Sequence, residues 1–147
     1  MATLKADTFG SETFLLTRVR QALTNLTGVI GSQTKEFTVA PTKLDADRDS
    51  LKPDYKTLWK QCTIQYDPNE GGAEIYLKDR KIVLGPFMKG FSTTNLEKVI
   101  LHEFLHAALD DGWQCLSEQA QHGQINLIIC YNIRYPPPPN PANPSED

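Results

Sequence analysis

The sequence predicts an α+β domain: a small, mostly antiparallel sheet of three to four strands, with an N-terminal, a central and a C-terminal helix. Three observations carry this expectation. An apolar stripe at helical spacing opens the chain, in GSETFLLTRVRQALTNLTG. Three short β-branched and aromatic runs follow, QCTIQYD (61–67), AEIYLK (73–78) and KIVLGP (81–86). Two helical patterns then close the chain, with no strand signal between them.

In chain order, Phe14, Leu15, Val19, Ala22, Leu23 and Leu26 make the first stripe. Ser11 is the expected N-cap, Glu12 suits the positive helix end, and Gly28 is the expected stop. KEFTVAP, ended by Pro41, reads as a short strand, and the polar, Pro-broken segment Thr42–Lys56 as a long surface loop. PNEGG and DR supply turns between the three strands, so the last two form a hairpin. Thr94 with Glu97 fits a capping box, opening a helix that runs from Asn95 to about Leu109. DDGWQC is a short loop, and Ser117 caps the last helix. The domain is expected over 1–135, and PPPPNPANPSED (136–147) as a solvated polyproline-like tail.

Composition narrows the function classes. A chain of 147 residues buries a core without staples. The formal net charge of -3 gives no global field for nucleic acid or anionic membrane, so neither is an expected partner. Cys62, Cys115 and Cys130 are odd in number and contain no CxxC pair, which reads as reduced, mostly buried thiols. Lys5, Asp7 and Glu12 interrupt any signal-peptide core, and no apolar run reaches the roughly 20 residues of a membrane span. The expected location is cytoplasmic, with signal-independent export or virion association left open.

The chemistry lies in EKVILHEFLHAALDDG, Glu97 to Gly112. His102, Glu103 and His106 form H-E-x-x-H. Residues four apart lie one above the other on a helix, so both imidazoles reach one metal ion. Glu103 is rotated off that line, where it can serve as general base toward water at the metal. The ordinary alternative is a chance match on a core helix. Against it, the three histidines of the chain all fall between residues 102 and 122. Leu101, Phe104, Leu105 and Leu109 also draw the helix into the interior, where polar side chains need partners.

A strand-rich segment, a capped H-E-x-x-H helix and a short connection to another helix resemble the zincin metallopeptidases. Size and order are similar to minimal gluzincin-like or SprT-like cores. The resemblance covers roughly residues 60–133, and its specific part is His102 to His122. It implies a Zn2+ cofactor, a peptide or protein substrate, and binding of an extended substrate along a sheet edge, KIVLGP or AEIYLK.

The third ligand stays open between two residues. A histidine six positions after His106 is absent, because that position is Gly112. Asp110 sits at the end of the same helix and is better suited to capping. Glu118 resembles the gluzincin ligand, with His122 where an aspartate is usual. His122 followed by glycine resembles the SprT-like ligand instead, but the chain continues HGQIN without the usual proline and aromatic. Ligand chemistry and helix pairing favour Glu118 narrowly over His122, and both can touch one metal. Tyr131, Arg134 and Tyr135 are candidate oxyanion donors, Trp113 a candidate cleft wall, and Cys115 a partly buried thiol. The function expected is a zinc-dependent metallopeptidase. The alternative is a non-enzymatic protein on a zincin scaffold, such as a phage or assembly component, with a structural zinc.

Overall fold

Four short strands lie in the order β1-β2-β4-β3, and helices cover the apolar side of the sheet. The computed structural model describes residues 2–32, 50–130 and 133. The elements are β1 (Thr3–Leu4), α1 (Thr13–Ser32), α2 (Tyr55–Gln61), β2 (Thr63–Tyr66), β3 (Ala73–Tyr76), β4 (Lys81–Leu84), α3 (Thr93–Ala108), α4 (Asp111–Gln114) and α5 (Glu118–Ile129). Among the described residues no helix is long and apolar enough to cross a membrane.

The α+β class stands, with its N-terminal, H-E-x-x-H and C-terminal helices. The sheet is mixed rather than mostly antiparallel. β1 pairs parallel to β2, β2 parallel to β4, and only β3 runs antiparallel to β4. Two connections cause this. A helical crossover, which α1 begins and α2 ends, joins β1 to β2, and such crossovers return the chain in its original direction. The β3–β4 hairpin then folds so that β4 lies between β2 and β3. The fourth strand is the two-residue β1, too short to leave a pattern. The expected strand over KEFTVAP and the tail at 136–147 lie outside the described residues.

Register puts Ile64 beside Ile82, Tyr66 beside Leu84 and Ile75 beside Ile82. That row shares one buried core with Leu23 and Leu26 of α1 and Ile100 and Phe104 of α3. α1 runs through Gly28 to Ser32, past the expected stop. Ile30, buried in the core, extends the apolar stripe by one more turn. Its burial outweighs the roughly 1 kcal/mol a helical glycine costs. Ser11 lies one residue outside the true start, since the first helical hydrogen bond runs from Leu16 N–H to the Glu12 carbonyl at 3.0 Å.

The end of the expected loop is structured. α2 buries Tyr55, Leu58 and Trp59, and Leu51 bridges to Leu109 just before it. Gly85 ends β4 where no other residue fits: a Cβ there would lie 2.1 Å from the Glu70 carbonyl oxygen. The chain then turns through a 3-10 helix, Pro86–Gly90, into α3. Ser92, not Thr94, caps α3, its Oγ accepting from Asn95 N–H at 3.1 Å. Glu97 is engaged elsewhere, accepting from Asn25 Nδ2 of α1 at 2.8 Å.

Candidate metal centre

Helix α3 buries Leu96, Ile100, Leu101, Phe104, Leu105, Ala107 and Ala108, so little of its circumference is left for polar groups. His102, Glu103 and His106 occupy that remainder, each half-buried. The chain reverses through α4, capped by Asp110, whose carboxylate accepts from Trp113 N–H at 3.1 Å. Asp110 is therefore committed to the turn, as its position suggested. Ser117 caps α5 by accepting from Ala120 N–H at 3.2 Å. The C-terminal half of α5 buries Ile125, Ile128 and Ile129, and Gln124 reaches the buried Ser50 hydroxyl at 3.1 Å. These contacts turn His122 toward α3.

The three imidazoles form a near-equilateral triangle. Ring centroids are 5.0 Å apart for His102–His106, 4.9 Å for His102–His122 and 5.0 Å for His106–His122. One ring nitrogen from each lies within 4.8 Å of the other two, and His106 Nε2 and His122 Nε2 are 3.2 Å apart. Among the described residues this is the group with metal-ligand geometry. Glu118 sits beside the triangle rather than in it. Its side chain is 79% exposed, with Oε1 3.5 Å from His122 Nε2.

Burial holds His102 well below the usual imidazole range, at about 4, and the neighbouring His106 and His122 push the same way. Burial likewise lowers the pKa of His106, against a hydrogen bond to Gln121 that raises it. Glu103 moves in the opposite direction, to about 7, because burial disfavours its anion and Glu74, Glu70 and Glu118 repel it. A hydrogen bond from Ile75 N–H partly offsets that rise. Glu103 Oε2 lies 4.0 Å from His102 Nε2, so the carboxylate spans the gap between the imidazoles and β3.

β3 is thus the edge strand beside the site, and KIVLGP is internal. Open clefts flank Glu103 along it. One, of about 280 Å³, includes Glu74, Ile75, Leu77, His106 and Gln121 in its wall. The other, of about 480 Å³, is more apolar and includes Ala73, Phe87, Phe91 and Val99.

Other expectations fall differently. Cys115 is exposed and lies outside the triangle, Cys62 is buried with its thiol pushed up to about 11, and Cys130 is half-buried. Burial explains the Cys62 rise, against a smaller opposing effect of Arg80. Trp113 packs partly against the core. Tyr131, Arg134 and Tyr135 lie outside the described residues. Sequence reasoning missed the Ile75 amide and Gln121. A backbone donor leaves no sequence signal, and a glutamine next to a histidine is uninformative until both are placed.

No protein-family model matches the chain, and neither a curated protein nor a solved structure matches it.

Proposed function

We propose that the chain is a zinc-dependent metallopeptidase that hydrolyses peptide bonds, with Glu103 as general base and His102, His106 and His122 as metal ligands. The observation that carries this reading is the triangle of imidazoles with a half-buried carboxylate beside it. The donor set fits the ion. Three neutral imidazoles are a known catalytic zinc set, and burial keeps His102 and His106 neutral. His106 Nε2 and His122 Nε2, 3.2 Å apart, cannot both present lone pairs without repulsion unless something positive is shared between them. A bound zinc ion supplies Lewis-acid chemistry, lowering the pKa of water and polarising a carbonyl oxygen.

The protein's own groups perform the proton transfers. Ile75 N–H anchors the Glu103 carboxylate at the sheet edge. Glu103 Oε2, on the imidazole side, takes a proton from the attacking water and returns it to the leaving amine. A carboxyl poised near neutrality can do both. The clefts on either side of Glu103 leave room for an extended chain along β3.

Glu103→Gln tests the mechanism. It is expected to lower peptide hydrolysis at least ~100-fold while zinc content stays stoichiometric. Unchanged turnover would defeat the assignment. Chelation separates this reading from a purely structural zinc: loss of activity with the melting transition retained supports catalysis, whereas loss of the transition supports a structural ion.

A further inference from the structure

We infer that Gln121 is a positioning residue that fixes His106 as its Nδ1–H tautomer and so leaves His106 Nε2 as a bare acceptor toward the other two imidazoles. The Gln121 amide can be oriented from its partners. Its nitrogen contacts two carbonyl oxygens, Gln114 O at 3.2 Å and Leu116 O at 3.1 Å. Carbonyls accept and cannot donate, so only the NH2 end can face them. The opposite end, Oε1, then faces His106 Nδ1 at 3.4 Å. An amide oxygen is solely an acceptor, so the proton of this contact belongs to Nδ1.

The support extends one residue further. Gln114 Nε2 donates to Leu109 O at 2.7 Å and to Ala107 O at 3.4 Å, at the C-terminal end of α3. Two glutamine side chains therefore join the end of the α3 helix, the α4 turn and the α5 helix. The turn that brings His122 back is the same structure that sets the His106 proton. A corollary concerns His122. With His106 Nε2 bare, the 3.2 Å contact requires His122 to carry its proton on Nε2 in the metal-free chain. To ligate through Nε2, His122 must move that proton to Nδ1, whereas His106 is already prepared.

The importance of this for activity rests on the metal-centre reading above, but the tautomers can be measured without it. The experiment is long-range 1H–15N correlation spectroscopy of the imidazoles in the metal-free full chain, at a pH where they are neutral, with zinc affinity measured in parallel. Wild type is expected to show His106 as Nδ1–H. Gln121→Leu is expected to mix the His106 tautomers and weaken zinc binding 10- to 100-fold. Gln121→Glu keeps the acceptor toward Nδ1 while losing the donors to Gln114 O and Leu116 O, and is expected to retain Nδ1–H on the neutral ring. An Nε2–H proton on His106 in wild type, or an unchanged pure Nδ1–H in Gln121→Leu, overturns the inference. If Gln121→Leu does not fold, the wild-type spectrum and Gln121→Glu still decide. A wild-type His106 in the expected tautomer with no zinc bound keeps this inference and defeats the metal-centre reading instead.

Discussion

Two of the helices that pack on α3 meet it in opposite ways. Toward α1 the contact is mainly apolar, with Leu15, Val19, Leu23, Leu26 and Ile30 buried on the α1 side and the Asn25–Glu97 bond beside them. Toward the N-terminal half of α5 it is polar, made of His106, His122 and Gln121, and only the last turns of α5 contribute isoleucines. The first seam supplies stability, since each large buried apolar side chain is worth ~2 kcal/mol or more. The second is assembled from imidazoles and amides whose net contributions are small and whose burial costs free energy. One helix thus carries both the scaffold and the site, and the two seams should respond to opposite perturbations.

The largest effect is expected on the apolar side. Phe104 is fully buried and meets Trp59 edge-on at 5.1 Å. Phe104→Ala should cost ~3–5 kcal/mol in denaturant unfolding, with or without zinc. A loss below ~1 kcal/mol would mean that the apolar face of α3 is not the scaffold described. On the polar side, zinc at 100 times its Kd should raise stability by ~2.7 kcal/mol. His122→Ala should abolish that gain and Glu118→Ala should keep it. The reverse pattern would make Glu118 the third ligand.

A comparable effect is expected from pH in the metal-free protein, where two groups of the polar seam act with opposite signs. His102 is lowered from 6.5 to about 4, so its stabilising neutral form is fully effective above pH 6.5 and stability falls as pH drops toward 4. Glu103 is raised from 4.5 to about 7, so its contribution is complete below pH 4.5 and lost as pH rises to 7. Between pH 4.5 and 6.5 the two slopes oppose each other. Glu103→Gln should remove one of them, gaining ~2–3 kcal/mol on wild type between pH 4.5 and 7. A constant difference across that range would show that Glu103 is not perturbed. The smallest effects belong to the caps: Ser92→Ala and Ser117→Ala should each cost ~1 kcal/mol in thermal unfolding. Ser117→Ala should also weaken zinc binding, because α5 carries His122.

The legible parts of this chain were those governed by local periodicity. The stripe of α1, the three central strands, the β3–β4 hairpin and the Ser117 cap all follow from neighbouring residues. Parts set by distant partners were not legible. Gly28 looked like a stop because the sequence does not show that Ile30 has a core to enter. Glu97 looked like half of a capping box because its partner, Asn25, is 72 residues away. β1 is two residues long, and its parallel pairing exists only because the chain returns beside it. The α2 pattern, Tyr55, Leu58 and Trp59 at helical spacing, was readable but hidden behind the polar run before it. For the site, H-E-x-x-H showed one wall of the histidine cluster, and only the rotation of α5 shows that His122 rather than Glu118 joins it. One helical turn separates them, and that rotation depends on Gln124 and three isoleucines rather than on either candidate.

The bond between Ile75 and Glu103 has a consequence for solubility. Gly85 N–H donates to Gly72 O at 2.8 Å, and residues alternate along an antiparallel pair, so Ile75 turns its amide away from β4 toward the open edge. An open edge with free amides invites another strand, including one from a second molecule, and long-term storage then favours aggregates. Here a carboxylate from the neighbouring helix occupies that amide, and exposed Glu74 adds charge beside it. An extended substrate along β3 must therefore pair with the rest of that edge, because Glu103 already holds the Ile75 amide.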